Sequence, residues 1–318
     1  MNSIYFDVKN ASFGYSLNCL TFATMFYRRK IVLAILQAFG GHLQKISLQK
    51  LLFLFTNGQF KRDYDFVPYL YGCYSFSANA DFTAMVKHGQ LSEDKQSFTK
   101  IDAIDYVKML NEKDKKTLIN LRKDYDKLDS DALIKLTYLN YPYYAINSII
   151  ADKHLTTEQK DKVFQARPAN DKTTLYTIGY EGVSLEAYLN RLIKNDVKVL
   201  VDVRNNPLSM KFGFSKTQLK NFCSSLNIEY LHIPEVGIQS DQRRELKTQE
   251  DYDNLFEIYK NQNLKKTQNE QESILHLLKS KKRVALTCFE AKICQCHRKH
   301  LAEAITKLPE WEYELKHI

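Results

Sequence analysis

Apolar positions along the chain recur first at helical spacing and later with the alternation of strands. Ile31, Leu33, Ala34, Ile35 and Leu36 open an apolar helix that Gly40-Gly41 ends. Ser47 is read as the N-cap of the next helix, Leu48–Phe55, whose dense apolar content predicts burial. Phe66–Tyr71 is an aromatic extended stretch followed by Gly72, Ser77–Val86 returns to helical spacing, and Ser97–Ile101 suits a short strand. Two further helices are predicted near Lys113–Lys127 and Asp131–Tyr138. Ala166–Lys172, with Pro168, Asn170 and Asp171, reads as a linker. Beyond it strands and helices alternate. Thr174–Gly179, Val197–Val203, Glu229–Ile233 and Arg283–Cys288 are strands, and a short terminal strand contains Trp311 and Tyr313. The intervening helices are a Ser184-capped run over Glu186–Ile193, Lys216–Leu226, a helical region within Gln249–Lys279, and Arg298–Leu308.

This pattern predicts two domains, as a length of 318 residues also does. Residues 1–165 form a mostly α, winged-helix-like domain, and residues 173–318 an α/β domain with a mainly parallel sheet covered on both faces. Leu48-Gln49-Lys50-Leu51-Leu52-Phe53 and Phe66-Val67-Pro68-Tyr69-Leu70-Tyr71-Gly72 resemble the Panacea (SocA-like antitoxin) domain over roughly Lys30 to Ile101. That resemblance implies contact with nucleic acid or a protein partner. An all-α packing domain without nucleic acid is the alternative. Residues 1–24 fit poorly with the periodic region beyond them and are read as a peripheral segment or the product of an upstream start.

Composition adds direction rather than detail. The net charge of +9 and pI near 9.0 favour a polyanionic partner such as nucleic acid. Six cysteines, three of them within nine residues, do not form a disulfide framework; the expected setting is cytoplasmic and reducing. No apolar run is long enough to span a bilayer, and no membrane contact is expected. The start carries Asp7 and Lys9 without the order of a secretory signal. Neither a G-x-G-x-x-G nor a Walker loop is present, so no dinucleotide or other cofactor is expected. Homo-oligomerisation is left open.

In parallel sheets, ligands bind beyond the carboxyl ends of the strands. Those ends carry Gly179-Tyr180-Glu181-Gly182, Asp202-Val203-Arg204-Asn205-Asn206-Pro207, His232-Ile233-Pro234-Glu235-Val236-Gly237 and Cys288-Phe289-Glu290. Asp202 and Arg204, two apart, face one side of their strand. They form either a structural ion pair or an anion clamp in which Asp202 orients Arg204. Glu181, Asp202, Glu235 and Glu290 are the candidates for acid/base catalysis. Tyr180, Arg204, Lys211, His232, Arg243, Cys296, His297 and Arg298 are the candidates for substrate binding, and Arg244 could extend the clamp.

Cys296, His297 and Arg298 open the last helix, where backbone N–H groups favour a thiolate or a bound anion. Arg298 there needs a negative partner such as Glu290 or Glu235. Three cysteines with His297 or His300 supply enough donors for zinc, but the spacing is not that of a C-x-x-C knuckle. Adjacent Cys296 and His297 are expected to point apart, so no metal is assigned. Inert packed cysteines remain an alternative.

Thr177-Ile178-Gly179-Tyr180-Glu181-Gly182, Leu200-Val201-Asp202-Val203-Arg204-Asn205-Asn206-Pro207, Phe212-Gly213-Phe214-Ser215, Ile228–Glu235 and Cys288-Phe289-Glu290…Cys296-His297-Arg298 succeed one another over nearly the whole second half. In this order they resemble the domain-of-unknown-function family four-eight-eight. Val236-Gly237 replaces that family's usual Leu-Gly, and Cys294 is an additional thiol. The resemblance implies an α/β fold and a link to nucleic-acid processing or defence.

Three functions are compatible with these residues. One is a hydrolase or glycosylase-like enzyme acting on nucleic acid, a nucleotide or another small anion, with Arg204 and Arg298 binding it. A second is a thiol enzyme, since Asp-Val-Arg at a strand end and a cysteine in a strand-to-helix loop resemble rhodanese-like sulfurtransferases. Against it, Cys288 lies ten positions before Arg298, whereas that class closes a tight loop from cysteine directly to helix. The third is a non-enzymatic DNA-binding regulator with a ligand-sensing domain.

Overall fold

The computed structural model describes residues 25–239, 242 and 246–318. The first half opens with α1 (Tyr27–Ala38), β1 (His42–Gln44) and α2 (Lys45–Gly58). A hairpin of β2 (Val67–Tyr69) and β3 (Gly72–Tyr74) precedes α3 (Phe76–Lys87). The strands β4 (Leu91–Glu93) and β5 (Ser97–Lys100) then complete an antiparallel sheet in the order β1-β5-β4. Four more helices complete this half: α4 (Glu112–Tyr125), α5 (Ser130–Asn140), α6 (Ala151–His154) and α7 (Thr157–Gln165).

Leu48–Phe55 of α2 is buried throughout, as its apolar density requires. Its start differs from expectation. The helix begins at Lys45 without a side-chain cap, and Ser47 lies inside it, its hydroxyl 2.9 Å from that of Ser130 on α5. The aromatic stretch is not a single strand either, because it folds back at Leu70-Tyr71 into the hairpin.

Residues 166–173 carry no helix or strand. The second half comprises β6 (Thr174–Gly179), α8 (Leu185–Lys194), β7 (Val199–Asp202), α9 (Lys216–Ser225), β8 (Glu229–His232) and α10 (Gln249–Ile258). A π-helical turn over Tyr259–Asn263 interrupts the long helical region before α11 (Gln268–Lys281). β9 (Arg283–Cys288), α12 (His297–Ile305) and β10 (Glu314–His317) finish the chain. The five strands pair in parallel in the order β10-β6-β9-β7-β8. Trp311 and Tyr313 precede the last strand instead of belonging to it.

Strand alternation sends Leu175, Val199, Val201, Val284 and Leu286 to one face, against α10, α11 and α12. Tyr176, Ile178, Leu200 and Ala285 face α8 and α9. With both faces covered, the edges of the sheet remain for chemistry. Among the described residues, no helix is long and apolar enough to cross a membrane.

The halves are joined by buried polar contacts. Glu186 on α8 is fully buried, and its carboxylate accepts hydrogen bonds from Ser77 N (2.6 Å), Ser77 Oγ (2.9 Å) and Ser75 Oγ (3.2 Å) at the start of α3. Ser184 Oγ donates to Asp65 at 2.6 Å, and Asn190 Nδ2 to the Phe66 carbonyl oxygen at 2.6 Å. Val67 of the hairpin packs into the α8–α9 core.

Candidate active site at the carboxyl edge of the parallel sheet

The ends of β7 and β9 flank a cavity of about 360 Å³. Its walls include Tyr180, Arg204, Asn205, Asn206, Ser209, Cys288 and His297, with Leu208, Met210, Ile238 and Phe289 as apolar members. Leu208, Met210 and Phe289 are exposed, so the mouth carries uncovered apolar surface beside a polar interior.

Arg204 is fixed in its wall by its neighbours. Nε donates to Asp202 Oδ1 at 2.8 Å and Nη2 to Asp202 Oδ2 at 2.5 Å. Nη1 donates to the Tyr180 hydroxyl oxygen at 2.7 Å and to the Phe214 carbonyl oxygen at 2.9 Å. Four of its five N–H groups thus have protein acceptors. Burial opposes the charge, but the hydrogen bonds and negative charge of Asp202 outweigh it and raise the Arg204 pKa. Asp202 is wholly buried and also accepts from the Tyr230 hydroxyl at 2.7 Å. The ion pair common to both sequence readings is present, and Arg204 lines the cavity. Tyr180 stacks on Phe214 with ring centroids 4.2 Å apart. Burial holds it above the usual phenol pKa, against the lowering effect of Arg204, and it stays protonated.

The second corner gathers Cys288, Glu290, Cys296 and His297. Cys288 ends β9 and is buried, with Sγ donating to Glu290 Oε2 at 3.1 Å and lying 3.7 Å from His297 Nδ1. His297 Nε2 is 3.0 Å from the Val203 carbonyl oxygen. A carbonyl only accepts, so Nε2 carries a proton, and Nδ1 is the ring atom that faces the sulfur. Cys296 is fully buried and lies outside the cavity lining among the described residues. Burial, followed by its hydrogen bond to Cys288, pushes its thiol pKa well up, against the sequence expectation of a helix-stabilised thiolate.

Cys296 and His297 also do not point apart. With Cys288 they bring one ligand atom each to within 4.8 Å of one another. The reason is local: Cys296 is the N-cap residue, with extended φ −131° and ψ 131°, whereas His297 is the first helical residue. The change of backbone conformation between them turns both side chains to one side.

The remaining candidates take other places. Arg298 meets backbone rather than a carboxylate: Nη1 donates to the Glu290 carbonyl oxygen at 2.5 Å and Nη2 approaches that of Ala291 at 3.4 Å. It pins the loop after β9. Gly179 is required beside it, since a Cβ there would lie 2.0 Å from the Glu290 carbonyl oxygen and 3.1 Å from Arg298 Nη2. Lys211 Nζ donates to the Tyr180 carbonyl oxygen at 2.6 Å. His232 Nε2 lies 2.9 Å from the Arg204 carbonyl oxygen, and its Nδ1 lies 3.0 Å from Lys216 Nζ. Glu181 is exposed and accepts from Ala291 N at 2.9 Å, and Glu235 is exposed on the turn after β8. Neither carboxylate belongs to the described lining of the cavity. Arg243 and Arg244 lie outside the described residues.

Sequence reasoning left Asn205, Asn206, Leu208, Ser209, Met210 and Phe289 off the site. One signal was available: the amides lie in the loop that follows a strand end. No curated protein and no solved structure matches the chain. Residues 184–305, from the start of α8 to the end of α12, match the family model described as domain of unknown function DUF488.

Proposed function

We propose that the second half is the catalytic domain of a hydrolase acting on an anionic, base-bearing substrate, a nucleotide or a nucleic-acid strand, held in the cavity at the sheet edge. One observation carries the reading. The mouth offers exposed Leu208, Met210 and Phe289 as a stacking surface, and the interior offers hydrogen-bonding amides next to a thiol and an imidazole, with the Glu290 carboxylate 3.1 Å from that thiol but outside the lining. Apolar and aromatic surface accepts a nucleobase face, while amides and hydroxyls read its polar edge or a phosphate. The net charge of +9 favours approach of an anion.

The roles differ from those read along the sequence. Asp202 and Arg204 position the wall, and Asn205, Asn206 and Ser209 meet the substrate. Glu290 and His297 handle protons, since both lie within 3.7 Å of the Cys288 sulfur. A thiol nucleophile at Cys288 is the second reading, favoured by the 3.7 Å approach of His297 Nδ1 to its sulfur.

The first half delivers or regulates. Its order of helix, strand, helix, hairpin, helix and two strands, with the first strand paired to the last, supports a winged-helix reading. The Panacea-like motifs belong to that same segment. Insertion of α3 into a DNA groove by its N-terminal turn is disfavoured, because Glu186 and α8 already cover that end.

The test is turnover by the full chain on a panel of nucleoside phosphates, N-glycosides and single- and double-stranded oligonucleotides. Release of base, phosphate or shortened strand is monitored. One class is expected to be consumed, with loss of about 100-fold or more in His297→Gln and a raised KM in Asn206→Ala. A panel left untouched, or turnover indifferent to both changes, would refute the proposal.

A further inference from the structure

Cys288, Cys296 and His297 converge from the end of one strand and the start of one helix, and all three are buried. Two thiols and an imidazole are the donors that zinc prefers. With Zn–S of about 2.3 Å and Zn–N of about 2.0–2.1 Å, a tetrahedral ion sets sulfur and nitrogen roughly 3.6 Å apart. Cys288 Sγ and His297 Nδ1 are 3.7 Å apart. A second, independent feature is the hydrogen bond from His297 Nε2 to the Val203 carbonyl oxygen at 3.0 Å. Metal-bound histidines almost always place their other ring N–H on such an acceptor, which fixes the tautomer and presents the opposite nitrogen.

We propose that Cys288, Cys296 and His297 hold a zinc ion whose fourth position opens into the sheet-edge cavity. The openness comes from the lining: Cys288 and His297 line the cavity, whereas Cys296 does not. Three protein ligands and one position open to water or substrate is the arrangement of catalytic rather than structural zinc. Binding converts two thiols into thiolates and releases two protons, so affinity rises with pH. Glu290, which accepts from the Cys288 S–H at 3.1 Å, is the direct acceptor for the proton that this thiol releases on binding. The catalytic role rests on the hydrolase reading above; occupancy of the site does not. With zinc in place the Cys288 sulfur and His297 Nδ1 are ligands, so the thiol-nucleophile reading falls and the proton-handling role given to His297 passes to Glu290.

The experiment is metal analysis of the purified full chain, then chelation and re-addition of zinc or cobalt alone. About one zinc per chain is expected, with thiolate-to-cobalt charge-transfer absorption in the substituted protein. Both are lost in Cys296→Ser and kept in Cys294→Ser, since Cys294 is exposed and outside the cluster. Should Cys296→Ser fail to fold, the wild-type chain still decides, because added zinc must then raise its Tm and a chelator lower it. A folded wild-type chain that takes up no zinc at micromolar concentration, or zinc retained unchanged in folded Cys296→Ser, overturns the site. Stoichiometric zinc without turnover on any substrate would support the site and count against the hydrolase alone.

Discussion

The buried Asp202–Arg204 pair supports one wall of the cavity. Asp202 and Arg204 were legible as a pair because residues two apart on a strand share a face. Their division of labour was not, because it depends on Tyr180, Phe214 and Tyr230, which come from distant parts of the chain. A buried pair with one partner neutralised leaves the other charge uncompensated. Asp202→Asn is therefore expected to cost about 3–5 kcal/mol, measured as a fall in the denaturation midpoint with an unchanged slope. A loss under about 1 kcal/mol would mean that Arg204 has another compensating partner. The Cys296–His297 pair was misread for a different reason. Spacing rules assume one conformation for neighbouring residues, and the helix boundary falls between these two.

At the level of elements, the parallel sheet was readable because six-residue strands such as β6 and β9, buried at every position, are rich in apolar and β-branched residues and alternate with helical patterns. β1 and β4 are three residues long, too short for any period to register, and only their pairing with β5 defines them. The carboxyl edge of the sheet does hold a cavity, but several of the charged residues at that edge lie outside its lining. Glu181, Glu235 and Arg298 are charged and turn to solvent or backbone. The lining comes instead from amides, a hydroxyl, a thiol and apolar side chains on the same loops. Strand ends expose backbone groups of the adjoining loops, and charged side chains placed there satisfy them as readily as they meet a substrate.

For the whole molecule, the contact between halves is the feature least visible in the sequence. Glu186 sits in an amphipathic helix run where an acidic first-turn residue is ordinary. Its partners are more than a hundred positions away. Burial raises its pKa above the ordinary 4.5, against the lowering effect of the serine donors. The native state therefore holds a proton more tightly than the unfolded chain. That contribution to stability is complete below the unfolded pKa and is lost as pH rises through the raised folded value. Unfolding free energy measured across that window should fall with pH in the wild type and lose this part of its slope in Glu186→Gln. An identical slope in the two proteins would show that Glu186 titrates as it does when unfolded. The same contact ties the first turn of α3 to α8 of the second half.

The functional reading of the second half turns on the cavity between β7 and β9 being the place where substrate and reacting groups meet. A crystal structure of the full chain soaked with a nucleoside monophosphate probes this without any assumption about the bond broken. Density for the base is expected against Phe289 and Met210, with polar atoms within hydrogen-bond distance of Asn205, Asn206 or Ser209. Nucleotide density confined to another surface, with this cavity holding solvent alone, would contradict it.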